Sequence, residues 1–174
     1  REFLAVLAGR DEEASQYLFG RARAAQQAIY GQDIYVRGLI ELSNYCKNDC
    51  YYCGIRNSNR EAERYRLTPE EILACCAHGY ELGFRTFVLQ GGEDPYFSKA
   101  RVAEIVRAIK ANHTDCAVTL SLGERSRECY RAWRQAGADR YLLRHETANA
   151  LHYASLHPPG LTLAQRLRCL ADLK

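Results

Sequence analysis

The chain has 174 residues, a formal net charge of +3, and a composition 47% hydrophobic and 26% charged. Those values are ordinary for a globular protein, and the length is enough for one domain with a real core. The charge is too small to argue for nucleic acid or a membrane surface as partner. No apolar run approaches the ~20 residues of a membrane span. Residues 3–8 are too short for a signal core, and charges follow at once.

Residues 1–34 read as a helical segment. Leu18, Ala22, Ala25 and Ile29 recur at helical intervals, and Gly31 ends the run. From Tyr35 the pattern becomes a strand that reaches Ser43 and enters a loop rich in cysteine. Residues 57–66 are polar and loop-like. Thr68-Pro69-Glu70-Glu71 predicts a helix start: Thr68 caps, Pro69 suits the first helical position and Glu71 completes a capping box. That helix should run to about Leu82 and stop at Gly83.

A strand over residues 86–90 follows, then a loop over 91–96. Val102, Ile105, Val106 and Ile109 lie on one face of a second helix. Residues 116–121 predict a third strand, and Ser126 caps a helix ending at Ala136-Gly137. Residues 139–143 predict a fourth strand. Thr162-x-x-Gln165 reads as a capping box for a last helix reaching the end. One helical segment followed by four strand–helix units implies an α/β fold with a parallel sheet. The expected domains are the helical segment 1–34 and a βα domain over 35–174.

Polar clusters follow every predicted strand: the cysteines, then Gly91-Gly92-Glu93-Asp94, then 121–125, then Arg144-His145-Glu146. In barrels and open sheets of βα units, the site lies at that edge. Two glycines let backbone approach a ligand, and Glu93 offers a partner for an ammonium. The plainer reading is a turn with a solvated acid; Asp94-Pro95 reads as a turn and helix lead-in. Arg144 and Glu146, two apart on an extended segment, should point the same way. Arg144 could hold a carboxylate through its planar fork, or the two could pair with each other. His145 should point away and be structural; nothing is assigned to His152 and His157.

Eight cysteines are present, but the chain is too long and too helix-patterned for a disulfide scaffold. Cys75, Cys76, Cys116, Cys129 and Cys169 fall in apolar-patterned segments and should be buried thiols acting as small hydrophobes. A reducing cytoplasm fits such thiols. Cys46, Cys50 and Cys53 differ: they form a C-x3-C-x2-C run without an obvious fourth ligand beside it. A structural zinc closes with four ligands, and an ordinary four-iron cluster takes four thiolates. Three thiolates can hold three irons of a cubane and leave the fourth open to a chelating ligand. The alternatives are a redox pair plus a spare thiol, or a zinc-stabilised interaction module completed by His78 or His113. The chain starts at Arg1 and contains no methionine, so a fragment of a longer polypeptide is expected.

The cysteine run, with aromatic Tyr52 just before its last member, resembles the signature of radical S-adenosylmethionine (SAM) enzymes. Further runs sharpen the match: 64–71, 89–95, Val118-Thr-Leu-Ser-Leu-Gly-Glu124 and Asp139-Arg-Tyr-Leu-Leu-Arg-His-Glu-Thr-Ala-Asn149. Together they resemble the HydE-type maturases of [FeFe]-hydrogenase. The methylornithine-synthase and biotin-synthase types share the cysteines and fit these runs less well.

The resemblance implies a TIM-barrel-type (βα)8 fold, of which about the first four units are here. It implies a [4Fe-4S] cluster on Cys46, Cys50 and Cys53, with SAM on the open iron and no catalytic residue assigned beyond these ligands. Tyr52, Gln90, Gly91, Gly92, Glu93, Thr119, Ser121, Arg144, Glu146 and Arg166 would line the SAM site. The implied activity is reductive cleavage of SAM to a 5′-deoxyadenosyl radical, in assembly of the hydrogenase active-site cluster. The implied partners are a small sulfur-containing or iron-bound substrate, a reductant such as ferredoxin or flavodoxin, and other hydrogenase maturation proteins. Half a barrel would leave two unpaired sheet edges and an exposed core.

Overall fold

The computed structural model describes residues 2–9 and 11–174; Arg1 and Arg10 of the predicted helical segment lie outside the described residues. The chain forms two compact units, residues 1–35 and 36–174. The first holds helices α1 (Glu2–Ala8) and α2 (Glu12–Tyr30). The helical segment is therefore broken near Asp11, whose side chain caps α2 by accepting from the Ala14 N–H. Gly31 ends α2, as its position in the sequence suggested. Leu18 and Ile29 are exposed.

The second unit runs β1 (Gly38–Ser43), α3 (Pro69–Glu81), β2 (Thr86–Gly91), α4 (Lys99–Asn112), β3 (Ala117–Ser121), α5 (Arg127–Ala136), β4 (Arg140–Tyr141), α6 (Ala150–Leu156) and α7 (Leu163–Asp172). The sheet is four-stranded, in order β1-β2-β3-β4, with every pair parallel. Strand β1 begins three residues later than its pattern predicts. Pairing starts at Gly38↔Phe87, near the point where β2 itself begins. Strand β4 is shorter than predicted, although the ladder continues past both ends through Asp139 N–H to Val118 O and Leu142 N–H to Leu120 O.

Period-2 alternation sorts the sheet into two faces. Ile40, Leu42, Phe87, Leu89, Val118 and Leu120 are buried and cluster with Ile72 and Cys76 of α3, Val106 and Ile109 of α4, and Trp133 of α5. Each such side chain contributes roughly 1.5–3 kcal/mol by leaving water. The other face carries the rows Leu39–Val88–Thr119 and Glu41–Gln90–Ser121 in register. It is open: Leu39 is 56% exposed.

Local signals held where their partners are local. Thr68 and Glu71 form the reciprocal capping box, and Ser126 caps α5, which ends at Gly137. At α7 only half of the predicted box forms. Thr162 accepts from Gln165 N–H, but the Gln165 amide turns to Cys169 Sγ at 3.4 Å and accepts from Arg168. Cys76, Cys116 and Cys169 are buried as expected; Cys75 is exposed and Cys129 half-buried. Cys75 lies one position off the buried stripe Ile72–Cys76–Gly79 of α3. Helix α6 was not anticipated; Asn149 caps it by accepting from His152 N–H at 3.0 Å.

Candidate cofactor site at the cysteine loop

The three cysteines sit on the loop that leaves β1 and returns beside it. Ser43 pairs antiparallel with Arg66, and Leu67 N–H donates to Leu42 O at 2.8 Å, so the base of the loop is pinched shut. Its interior is organised by Arg64. That guanidinium donates to Ile55 O at 2.9 Å, Arg56 O at 2.7 Å, Asn59 O at 3.0 Å, and the carbonyl of Asn44. A planar five-donor fork can reach four carbonyls at once; a lysine ammonium has three donors and no fork. Arg64→Lys is therefore expected to lower stability by about 1–3 kcal/mol, read by denaturant unfolding.

Asp94, read from sequence as part of a turn, is fully buried at 0% exposure. Its carboxylate accepts from Ser43 Oγ at 2.7 Å, Arg66 Nε at 2.7 Å, Arg66 Nη2 at 3.1 Å and Tyr96 N–H at 3.0 Å. Burial alone would raise its pKa; the hydrogen bonds from Arg66 and Ser43 outweigh that and hold it below the usual carboxylate range. The Arg66 guanidinium also lies 3.8 Å from the Tyr45 ring centroid, next to Cys46. One carboxylate thus joins the end of β1, the return of the loop and the approach to α4.

The Gly91-Gly92-Glu93 run presses directly on the loop. A Cβ at Gly92 would overlap the Tyr45 carbonyl oxygen and lie 2.8 Å from Cys46 Cβ. Glu93 N–H donates to Cys46 Sγ at 3.3 Å. The Glu93 carboxylate is buried and both oxygens are engaged: Oε1 accepts from Glu124 N–H at 2.8 Å, and Oε2 pairs with Lys47 Nζ at 3.1 Å. It ties the loops after β1, β2 and β3 together, in place of the solvated acid that a simple turn would leave. Gly123, at φ +74°, makes room for it, because a Cβ there would overlap the Glu93 carboxyl group.

Helices α6 and α7 close the other side. Tyr51 N–H donates to Leu156 O at 2.9 Å. Tyr52 meets His157 edge to face, with centroids 5.6 Å apart, and His157 stacks on Tyr153 at 4.0 Å. His157, left unassigned from sequence, is buried in this stack. Arg166 is buried with its Nε 2.6 Å from Glu124 Oε1, and its Nη1 donates to the Arg144 carbonyl. Arg144 and Glu146 are exposed. Glu146 adopts φ 62°, so the segment is not the simple extended run that would send both side chains the same way. The Tyr52 phenol is pushed up, first by burial and then by the Glu146 charge.

Gln90, Thr119 and Ser121 occupy the open face of the sheet, where the Gln90 amide donates to Glu41 at 3.2 Å. Thr119 Oγ1 is buried without a partner among the described residues. The predicted site residues therefore gather around one rim. His78 and His113 do not join them. His78 lies in the last turn of α3 and His113 stacks on Tyr80 at the end of α4, at the edge where the strands begin. Neither reaches the loop, which removes the donors proposed to complete a zinc site.

Cys46, Cys50 and Cys53 are free and half-buried. Among the described residues, no three His, Cys, Asp or Glu side chains converge on a point as a single ion requires. The Cys50 thiol is pushed up to about 11, first by burial and then by the neighbouring Cys46 and Cys53. Three free thiols on one loop form a donor set for iron–sulfur chemistry. The orphaned hydroxyl of Thr119 leaves an unfilled hydrogen bond for a polar ligand across the rim.

Comparison with known proteins agrees with this geometry. The family model described as the radical SAM superfamily matches residues 40–174. The chain is 44% identical over 169 residues to the "[FeFe] hydrogenase maturase subunit HydE" of Thermotoga maritima, covering 97% of this chain and 48% of that protein. It is 32% identical over 154 residues to the 3-methylornithine synthase of Methanosarcina acetivorans, covering 87% of this chain and 43% of that one. The crystal structure of HydG, a maturase of the [FeFe]-hydrogenase, superimposes with a TM-score of 0.86 at 28% identity, covering 97% of this chain and 38% of that one. The chain thus spans about half the length of these curated relatives, 48% and 43%. Its parallel sheet with alternating helices corresponds to the N-terminal part of TIM-barrel-type radical SAM structures. With its family model matched across nearly all of the second unit, the chain belongs to the radical SAM superfamily.

Proposed function

We propose that this chain carries the cofactor-binding region of an [FeFe]-hydrogenase maturase of the HydE type. Cys46, Cys50 and Cys53 would hold a [4Fe-4S] cluster, with SAM as its further ligand. The observation that carries this reading is 44% identity to HydE across 97% of the chain, with the three cysteines free on one loop. When bound and reduced, such a cluster would supply the electron for reductive cleavage of SAM.

The chain's own residues bind and orient. Arg64 and Asp94 hold the two ends of the cysteine loop, and Glu93 N–H donates to the Cys46 sulfur. Arg144 and Arg166 supply positive charge for the SAM carboxylate. Thr119 and Ser121 present hydroxyls, and Tyr52 and Gln90 flank the rim. With the Glu93 carboxylate engaged by Lys47 and Glu124, an ammonium or ribose hydroxyl is left to Glu146 and to the backbone around Gly91 and Gly92. In this reading the substrate is a small sulfur-containing or iron-bound precursor. The electron comes from a ferredoxin or flavodoxin in the cytoplasm, and other maturation proteins receive the product.

The second reading, a carbon-skeleton mutase, is favoured by the 32% identity to a methylornithine synthase. It shares the cluster and SAM residues and differs in substrate, so product analysis with candidate amino acids separates the two. The test of the shared chemistry is anaerobic reconstitution with iron and sulfide, reduction, and EPR with and without SAM. A cubane signal that shifts on adding SAM is expected. A cluster indifferent to SAM, or stoichiometric zinc in its place, overturns the proposal.

A further inference from the structure

Tyr153 is 1% exposed, yet its hydroxyl has no hydrogen-bond partner among the described residues. Buried hydroxyls are nearly always paired, so this one needs an explanation. Its position is well defined. The Tyr153 ring stacks on His157 with an interplanar angle of 19°. His157 Nδ1 lies 2.9 Å from the Tyr153 carbonyl, which can only accept. Nδ1 therefore carries a proton and donates to that carbonyl. Nε2 lies 3.4 Å from the Tyr52 hydroxyl. With the Tyr51 N–H bond to Leu156, this stack clamps α6 onto the cysteine loop.

Tyr153 is therefore one ring away from the residue that precedes Cys53. Helix α6, which carries Tyr153, packs against α7, where Arg166 pairs with Glu124 of the β3–α5 loop. The phenol is pushed up by burial, so it keeps its proton and is a donor; the charges that bear on it are those of Arg166, Glu124, Cys50 and Glu93, the residues around the loop. Thr119 Oγ1, the other orphaned hydroxyl of this unit, lies on the open sheet face already assigned to the cofactor.

We propose that the Tyr153 hydroxyl is a further cofactor-binding group, donating a hydrogen bond to an acceptor of the loaded site, either a cluster sulfur or a SAM oxygen. The proposal rests on the functional reading above. Tyr153→Phe removes the hydroxyl and leaves the stack intact, so opposite effects are expected in the two states. Metal-free Tyr153→Phe should unfold at the same temperature as the wild type or higher, since no protein partner is lost.

In the full chain reconstituted anaerobically, two measurements distinguish the acceptor. A lowered cluster midpoint potential in an EPR redox titration assigns the bond to a cluster sulfur, because such bonds favour the reduced cluster. An unchanged potential with SAM binding weakened about two- to tenfold, the range of one hydrogen bond, assigns it to SAM. Either result supports the proposal. A metal-free Tyr153→Phe less stable than wild type overturns it, because the hydroxyl would then serve the fold. So does a loaded variant that matches wild type in both potential and SAM affinity. A wild type that takes up no SAM-responsive cluster defeats the functional reading and this proposal together; a responsive wild type with a silent variant defeats this proposal alone.

Discussion

Gly92→Ala is expected to abolish iron–sulfur loading as completely as Cys46→Ala, although it removes no ligand. The added Cβ would overlap the Tyr45 carbonyl oxygen and sit 2.8 Å from Cys46 Cβ. Neither neighbour can yield cheaply. The Gly92 N–H is fixed to Ser43 O at 3.2 Å, and Lys47 N–H to Glu93 O at 3.2 Å, so both backbones are held from either side. Relief requires the cysteine loop to lift from the end of β2. That breaks the contact between Glu93 N–H and Cys46 Sγ and displaces a ligand. Overpacking of this kind costs about 1–3 kcal/mol or more, so a lowered denaturant midpoint should accompany the loss of iron. Gly54→Ala is the control, with nothing within 4 Å of its Cβ; it should load iron normally. A Gly92→Ala protein with full iron content and wild-type stability would show that the loop is not seated where the structure puts it.

Asp94→Ala should destabilise the fold by about 2–4 kcal/mol, toward the range for breaking a buried ion pair. Four donor contacts lose their acceptor together. Arg66, whose side chain is 38% exposed, can partly recover water, which keeps the loss from being larger. The pH dependence follows from the direction of the shift. The folded-state pKa of Asp94 is depressed, so its contribution is complete above the unfolded value of about 3.9. It is lost as pH falls through the folded pKa. Wild type and Asp94→Asn should therefore differ in stability by a constant amount near neutrality and converge in acid. Urea unfolding at a series of pH values checks this; a gap that persists or widens in acid would be incompatible with an ionised Asp94 in the folded state.

Much of the fold was legible because its signals are local. Thr68-Pro69-Glu70-Glu71 and Ser126 carry their own hydrogen-bond partners within a turn, so reading them needs no tertiary knowledge. The alternation of short apolar strands with amphipathic helices gave a parallel sheet for the same reason. The cysteine spacing marked the candidate site. What stayed hidden is long-range. Asp94 reads as half of an Asp-Pro turn until Ser43 and Arg66, 51 and 28 positions away, converge on it. Arg64 stands in the sequence as one more charge; its role lies in carbonyls of the loop it folds beneath. His157 gained its place from a stack that spans α6 and the cysteine loop. The expectation that Arg144 and Glu146 point the same way assumed an extended segment, and Glu146 takes a left-handed conformation that period-2 reasoning cannot foresee.

The pinched base of the cysteine loop bears on how the metal arrives. Closing a flexible loop carries an entropic cost that rises with its length, and in zinc fingers the metal itself must meet such a cost, so those domains unfold without it. Here the Ser43–Arg66 bridge, the Asp94 carboxylate and the Arg64 guanidinium close the loop with protein bonds alone. In the proposed reading, iron uptake would then resemble docking into a prepared receptor rather than a folding reaction. The free energy of cluster binding would be left to set affinity and reduction potential.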